Sequence, residues 1–495
     1  MTTIKYASIK IYAVFIMLIS ANSYGIGNDI FDIGINANAD FNFNNIEHSG
    51  TLSDLEFIDG FNNRPLLDIS LALHGGRWNF YTEATILSLR APIILDFNSL
   101  FTNMVRRAYL EYTGDFLYFS VGRRKQSIGA AGYNLFVNRD MPFYDGINIS
   151  IGKEIGFRFD SLVSWANLTR YIPNEIKGDS GWEHSGVLHS KYFMYHDLAY
   201  VGPTWFLMIG EASSIANPAS LSDFNVFGSA HNEHSSRVNV ALEIQGAKIF
   251  FDKLMIYGEL GIDDVPTPAS STGTDAAGKV DHPDAIAFGL GVRYHLLEGE
   301  TFEYPSFDPD KGIRKNINFG LTDTGLVLGF DYIVATRWMY KKSSSHTAYG
   351  DFRGQLGFYN YFYTPNLFAG EDWYAVPYGL KYGGDSQLIA LSAHYTSQKL
   401  TIDGAFNVVL QGWEGRETAA NLDYMGEAEL SDDPDSPLYS INWFSSGNIK
   451  PQFQIQAQAE YGFFNWLSAY AGFKFQFSSF NPFVFNINIG GSVRF

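Results

Sequence analysis

The residues from Phe31 to Phe43 read FDIGINANADFNF. Phe31, Ile33, Ile35, Ala37, Ala39, Phe41 and Phe43 occupy alternate places, and Asp32, Gly34, Asn36, Asn38, Asp40 and Asn42 fill the places between. Successive side chains of a strand point to opposite faces, so this period of two predicts a strand with one apolar and one polar face. It is longer than the usual strand of about five or six residues. It suits a tilted crossing of a bilayer, which takes about 9 to 11. The alternation returns over Val238–Gln245, Ile286–His295, Leu326–Ala335 and Gln452–Tyr461, and again in the closing FVFNINIGGSVRF. In the last, Phe483, Phe485, Ile487, Ile489, Val493 and Phe495 share one face.

A single alternating strand also fits a soluble sandwich. Many long ones, in a chain without a later apolar run of spanning length, predict an all-β, transmembrane antiparallel barrel. Only a closed sheet satisfies every backbone polar group in lipid. The spacing between strand centres predicts roughly 16 to 18 strands, with 18 favoured. A barrel of that size has a lumen wide enough for water unless loops fill it. Residues 26–495 are expected to form this one domain. Before them, Lys5 and Lys10 precede the apolar run Ile11 to Ile19 and the small residues of NSYG. That layout predicts a secretory signal peptide over residues 1–25, and with the barrel it predicts the bacterial outer membrane. The expected partners are outer-membrane lipid and the barrel-insertion machinery, since a final strand ending on Phe495 resembles the signature by which such barrels are inserted.

Last strands of such barrels descend to the periplasm, with short turns inside and long loops outside. Counting back, SSFNP (Ser478 to Pro482) becomes an outer turn. Trp413 to Ile449, with Glu427, Glu429, Asp432, Asp433 and Asp435, becomes an outer loop. The spacer Val265 to Ala285 then falls as a long inner loop.

Composition supports the membrane reading: 16% aromatic residues against 17% charged, where soluble domains carry roughly 25% charged. The absence of cysteine excludes disulfides, thiolate metal sites and lipoprotein attachment. Charge raises a question. The chain carries a formal net charge of -18, yet GRRKQSIGAAGYNLFVNRDMPFYDG, Gly122 to Gly146, is basic. With Leu117, Phe119 and Val121 toward lipid, Arg124 points inward. With Ile155, Phe157 and Phe159 toward lipid, so does Arg158. A lipid-facing charge near the midplane costs about 2 to 4 kcal/mol, which favours these directions. Arg123 has the lipid-face parity but stands at a strand end. Two readings follow: a basic patch that meets an anionic solute or glycan, or a set of lumen salt bridges.

The basic stretch, with Gly122, Arg123, Gly129, Gly132, Asn134, Leu135 and Pro142, resembles a block of the Wzi-like capsule-assembly family of outer-membrane barrels. SKYFMYHDLAYVGPTWFLMIGEASSIANPASL is similar to a second block through His196, Glu211, Asn217 and Pro218. LMIYGELGIDDV is similar to a strand ending in paired aspartates, here Asp263 and Asp264. The region spans about residues 104–265. A more distant likeness is to alginate-exporter-type barrels. The resemblance implies an 18-stranded lectin, not an enzyme, that binds or helps assemble acidic surface polysaccharide. Arginine would donate paired hydrogen bonds to uronate carboxylates and aromatics would stack on sugar faces. Arg123, Arg124, Lys125, Tyr133, Phe136, Arg139 and Arg158 are then the glycan- or anion-binding candidates. The alternative is a general porin or channel for small, possibly anionic, solutes.

Other chemistry is weaker. His184, His189, His196, His231 and His234, with Glu183, Glu211 and Glu233, match no compact ligand spacing. The acidic stretch from Glu427 to Asp435 lacks a calcium-loop glycine pattern. No metal, cofactor, catalytic group or nucleic acid is expected.

Overall fold

In the computed structural model, the residues described are 31–44, 55, 58–59, 67–88, 101–130, 133–166, 191–216, 238–264, 285–298, 314–315, 320–321, 324–336, 339–340, 358–366, 370–412, 449–464, 466–478 and 483–494. Their strands are β1 (Phe31–Asn44), β2 (Leu67–Gly75), β3 (Trp78–Ser88), β4 (Phe101–Thr113), β5 (Leu117–Arg124), β6 (Gln126–Ser127), β7 (Tyr144–Gly152), β8 (Gly156–Ala166), β9 (Lys191–Val201), β10 (Trp205–Ala216) and β11 (Val238–Phe250). They continue as β12 (Leu254–Asp264), β13 (Ala285–Glu298), β14 (Arg314–Lys315), β15 (Gly325–Ala335), β16 (Tyr359–Asn366), β17 (Gly370–Pro377), β18 (Ser386–Thr396), β19 (Leu400–Gln411), β20 (Lys450–Phe464), β21 (Leu467–Ser478) and β22 (Val484–Arg494). Every strand read from the alternation is present.

Eighteen of these form one antiparallel sheet. Each pairs with its neighbours in the chain, and β1 pairs with β2 on one side and with β22 on the other, Ala37 opposite Val493 and Phe43 opposite Ile487. The ring of pairings is therefore closed. The outer face keeps its apolar residues uncovered: Phe157, Leu207, Leu290 and Phe453 are all exposed. Such a belt around a closed sheet is a lipid-facing surface, and the chain is a membrane-spanning β-barrel.

The turns at 76–77, 114–116, 153–155, 202–204, 251–253 and 397–399 are short and share one end. The long connections share the other. Residues 265–284 join β12 to β13 at the long-loop end, the end that also carries the connections following β5 and β15. The inner-loop expectation for Val265 to Ala285 is thus corrected. The reason is that β13 pairs directly with β15. The stretch between them adds no spanning strand, and one fewer crossing reverses the side. The signal segment 1–25, Gly132, Asn217, Pro218, Phe495, the acidic residues 427–435, His184, His189, His231 and His234 lie outside the described residues.

The lumen is not empty. Two long-end connections, 125–143 between β5 and β7 and 336–385 between β15 and β18, contribute Leu135, Phe136, Met141, Met339, Tyr340, Phe358 and Tyr378 to one buried core with inward residues of the wall. We call this body the plug. The Asn138 amide donates to the Tyr378 carbonyl at 3.0 Å, joining the two connections directly. Tyr378 stacks on Phe193 of β9 with ring centroids 3.9 Å apart. The two-residue strand β14, from the short-turn end, pairs with β6. The connections meet so closely that a Cβ on Gly379 would lie 1.8 Å from the Leu135 carbonyl oxygen. Gly379→Leu should therefore displace the plug. Overpacking typically costs about 1 to 3 kcal/mol, so a lowered melting temperature is expected with new protease cleavage within 125–143. Unchanged cleavage and melting would contradict this contact.

Candidate functional site

The basic stretch forms the first limb of the plug and the wall beside it. Arg123 sits opposite Asp145 on the neighbouring strand. Its Nε and one Nη each reach an Asp145 oxygen at 2.7 Å, its other Nη donates to the Val105 carbonyl at 2.9 Å, and the guanidinium lies 3.8 Å from the Phe143 ring centre. Outward parity is kept by pairing the charge at the rim. Arg124 and Arg158 point into the lumen, as strand parity requires. Arg124 donates to Glu111 at 2.8 Å and to the Tyr118 hydroxyl, and stacks on Tyr109. Arg158 makes two bonds to Asp160, at 2.8 and 3.1 Å. Lys125 is buried, its ammonium 3.5 Å from the Arg139 carbonyl. Arg139 is exposed. Tyr133 is half-buried against the core.

Phe136 is the plain correction. It is fully buried between Tyr340 and Phe358, at centroid distances of 6.1 and 5.5 Å. A ring packed on both sides inside a core has no face left for a sugar. Its neighbour Leu135 donates its amide to the Glu259 carboxylate of β12 at 2.6 Å. Four residues further along the same strand, Asp263 accepts the Tyr340 amide at 3.2 Å. Two carboxylates of one wall strand thus hold one backbone N–H from each limb of the plug.

The remaining family-type positions serve the same architecture. Gly122 and Gly129 have positive φ, 125° and 73°. Asn134 donates to Ser127 at 3.2 Å and to the Val137 carbonyl at 3.0 Å, closing the glycine-bearing turn. Pro142 is buried in the same limb. His196 of β9 bonds Ser161 at 2.9 Å and stands opposite Glu211 of β10 in the register. Asp264 ends β12 beside a register shift.

A third connection clips the plug to the wall. The Asp59 carboxylate, between β1 and β2, receives Lys474 of β21 at 2.8 Å and Lys381 of the plug at 3.4 Å. Burial alone would raise the Asp59 pKa, but the two ammonium groups outweigh it and hold the carboxyl well below the usual range. Burial likewise opposes charge on Lys381, and Asp59 overrides it, raising that pKa.

One internal cluster escapes any strand-parity reading. Arg106 and Arg107 are consecutive, yet both are buried. The register between β3 and β4 shifts at Glu83, leaving Arg106 as the extra residue of a β-bulge. Arg107 donates to Glu83 at 2.8 Å, and the Tyr81 hydroxyl donates to the same oxygen at 3.0 Å. Among the described residues, no group of three or more His, Cys, Asp or Glu side chains is arranged to hold a metal ion.

No family model and no curated protein matches this chain. Solved structures do. An outer-membrane protein of Escherichia coli, Wzi, described as involved in group 1 capsule assembly and as a carbohydrate-binding β-barrel, aligns over 93% of this chain and 84% of its own, at 11% identity and TM-score 0.47. OccK3 of Pseudomonas aeruginosa aligns over 94% and 96%, at 9% identity and TM-score 0.42. OprD of the same organism aligns over 94% and 95%, at 8% and 0.39. At these values the likenesses concern the general shape of the chain alone. The chain is an outer-membrane-type β-barrel on its own architecture of closed pairing and apolar belt.

Two outcomes follow. Glu83→Ala should destabilise the barrel by about 3 to 5 kcal/mol, because it leaves the buried Arg107 charge without its partner; an unfolding midpoint within error of the parent would refute that. For the Asp59 clip, the lowered carboxyl contributes stability above its unfolded pKa of about 3.9 and loses it as pH falls toward the folded value. The raised Lys381 contributes below about 10.4 and loses it as pH rises through its folded value. Plug protection from protease should therefore be flat between about pH 4 and 10 and fall on either side. Asp59→Asn should lower that plateau throughout.

Proposed function

We propose that this protein is an outer-membrane barrel that holds carbohydrate at the cell surface, and that it does not work as a general diffusion channel. The observation that carries this reading is the filled lumen. Inward positions of β8 to β12 are buried along nearly their whole length, Gly156 and Ile249 being half-buried, and the plug packs on this wall. The plug is fixed by backbone bonds to Glu259 and Asp263 and by the Asp59 clip. A wide barrel that conducts freely needs a broad continuous aqueous path, and a plug fixed against one half of the lumen interrupts it. The sequence likeness to the Wzi-like family agrees with a holder. The acidic glycan implied by that likeness rests on the basic stretch, and most of those cations already have carboxylate or carbonyl partners. Arg139 is the exposed one among them, and so the cation that an acidic chain at the plug would reach first.

A narrow channel is the second reading. Inner positions on β20 and β22 keep solvent access that the opposite wall has lost. Planar-bilayer recordings separate the two. The parent barrel should show no large steady openings, and Gly379→Leu, which loosens the plug, should introduce them. Large openings in the parent protein would sink the holder reading.

A further inference from the structure

The wall away from the plug has a chemistry of its own. Along β20 the inward residues include Gln452, Gln454, Gln456 and Gln458, between the outward Phe453 and Ile455. The register aligns Gln456 with Lys474 and Asn486, and Gln458 with Gly472 and Asn488. It continues into β1, where Asn486 and Asn488 face Asn44 and Asn42. Carboxamides therefore stand in two rows on β20 and β22, with Lys474 and Gly472 of β21 between them. Gln456 is exposed and Gln452, Gln458, Asn486 and Asn488 are half-buried, although all face the interior.

The charges at the margins of these rows are already engaged. Lys474 is held by Asp59 at 2.8 Å, Asp403 by His394 at 2.5 Å, and Glu460 by the Ser468 hydroxyl at 2.6 Å. What is left unspent is amide. Asn407 donates to Gln454 at 3.3 Å, yet its own Oδ1 and that of Asn486 are buried without a hydrogen-bond partner among the described residues. Each carboxamide offers two donors and one acceptor oxygen. Spaced along a strand and repeated on its neighbours, such groups match vicinal hydroxyls, which also donate and accept. They give no charge for a carboxylate to pair with.

Building on the proposed carbohydrate-holding role, we infer that this amide-lined wall is a binding lane for an uncharged, hydroxyl-rich chain, a neutral oligosaccharide. The barrel then recognises its ligand by hydrogen bonds from Gln456, Gln458, Asn486 and Asn488, and the basic stretch serves the plug.

The test is calorimetric titration of the purified, refolded full chain with a neutral gluco-oligosaccharide and, separately, an oligogalacturonate. The neutral probe should bind, and the Gln456→Leu/Gln458→Leu variant should weaken it about tenfold or more, as expected for losing two hydrogen bonds. Gln456→Asn, which keeps an amide, should lose less. Heat-modifiable mobility in gels confirms that each variant is folded. Unchanged binding in the double variant, or binding of the oligogalacturonate alone, overturns the lane and leaves carbohydrate holding intact. Failure of both probes overturns the lane as well. Large parental conductance would instead remove the holding reading without touching the lane measurement.

Discussion

Everything in this molecule depends on the closing of the sheet between β1 and β22. In hydrocarbon an unpaired backbone N–H or C=O costs several kcal/mol, and an open edge presents a row of them. The pairing of Asn36–Asn44 with Asn486–Arg494 removes that edge. It also fixes parity around the ring, because a slip of one residue exchanges every inward side chain for an outward one. The Arg124–Glu111 and Arg158–Asp160 pairs lie along the inward face of the wall, the first between neighbouring strands and the second within β8. Closure thus sets which charges need partners and which apolar residues need lipid.

Closure leaves an interior to fill, and the chain fills it unevenly. From β8 to β12 the wall supplies alanines, tyrosines and carboxylates, against which Phe136, Tyr340, Phe358 and Tyr378 pack. On β20 to β22 the wall supplies amides and few large side chains. The plug therefore leans on one half of the barrel, and Asp59 bridges it to the other through Lys381 and Lys474. The asymmetry gives the lumen two chemistries, one dry and aromatic, one hydrated and amide-rich.

Much of the wall was legible because period two is a local signal that lipid makes strict. Phe31–Phe43 alone predicts its strand to within a residue. The directions of Arg124 and Arg158 followed from their apolar neighbours. The plug was not legible, because Leu135, Phe136 and Tyr378 read as loop residues until the chain folds back. Phe136 looked like a sugar platform for that reason. The side of the 265–284 spacer depended on counting crossings, and one irregular stretch before β15 was enough to reverse it. The inward pair Arg106 and Arg107 violates alternation through a bulge, which leaves no mark in the sequence. The amide rows were in view as the QFQIQAQAE pattern, but their alignment with Asn486 and Asn488 belongs to the register.

The stack of Tyr144 on Tyr378, rings 6.0 Å apart, joins residues separated by 234 positions in the chain. Chain segments that distant meet late, since the entropy of closing so long a loop must be met before any contact repays it. The second limb of the plug leaves the wall only after β15, so the aromatic core forms after most strands exist. Until it forms, its aromatic faces stay uncovered, so a variant that slows the packing would be more prone to aggregate before it reaches lipid.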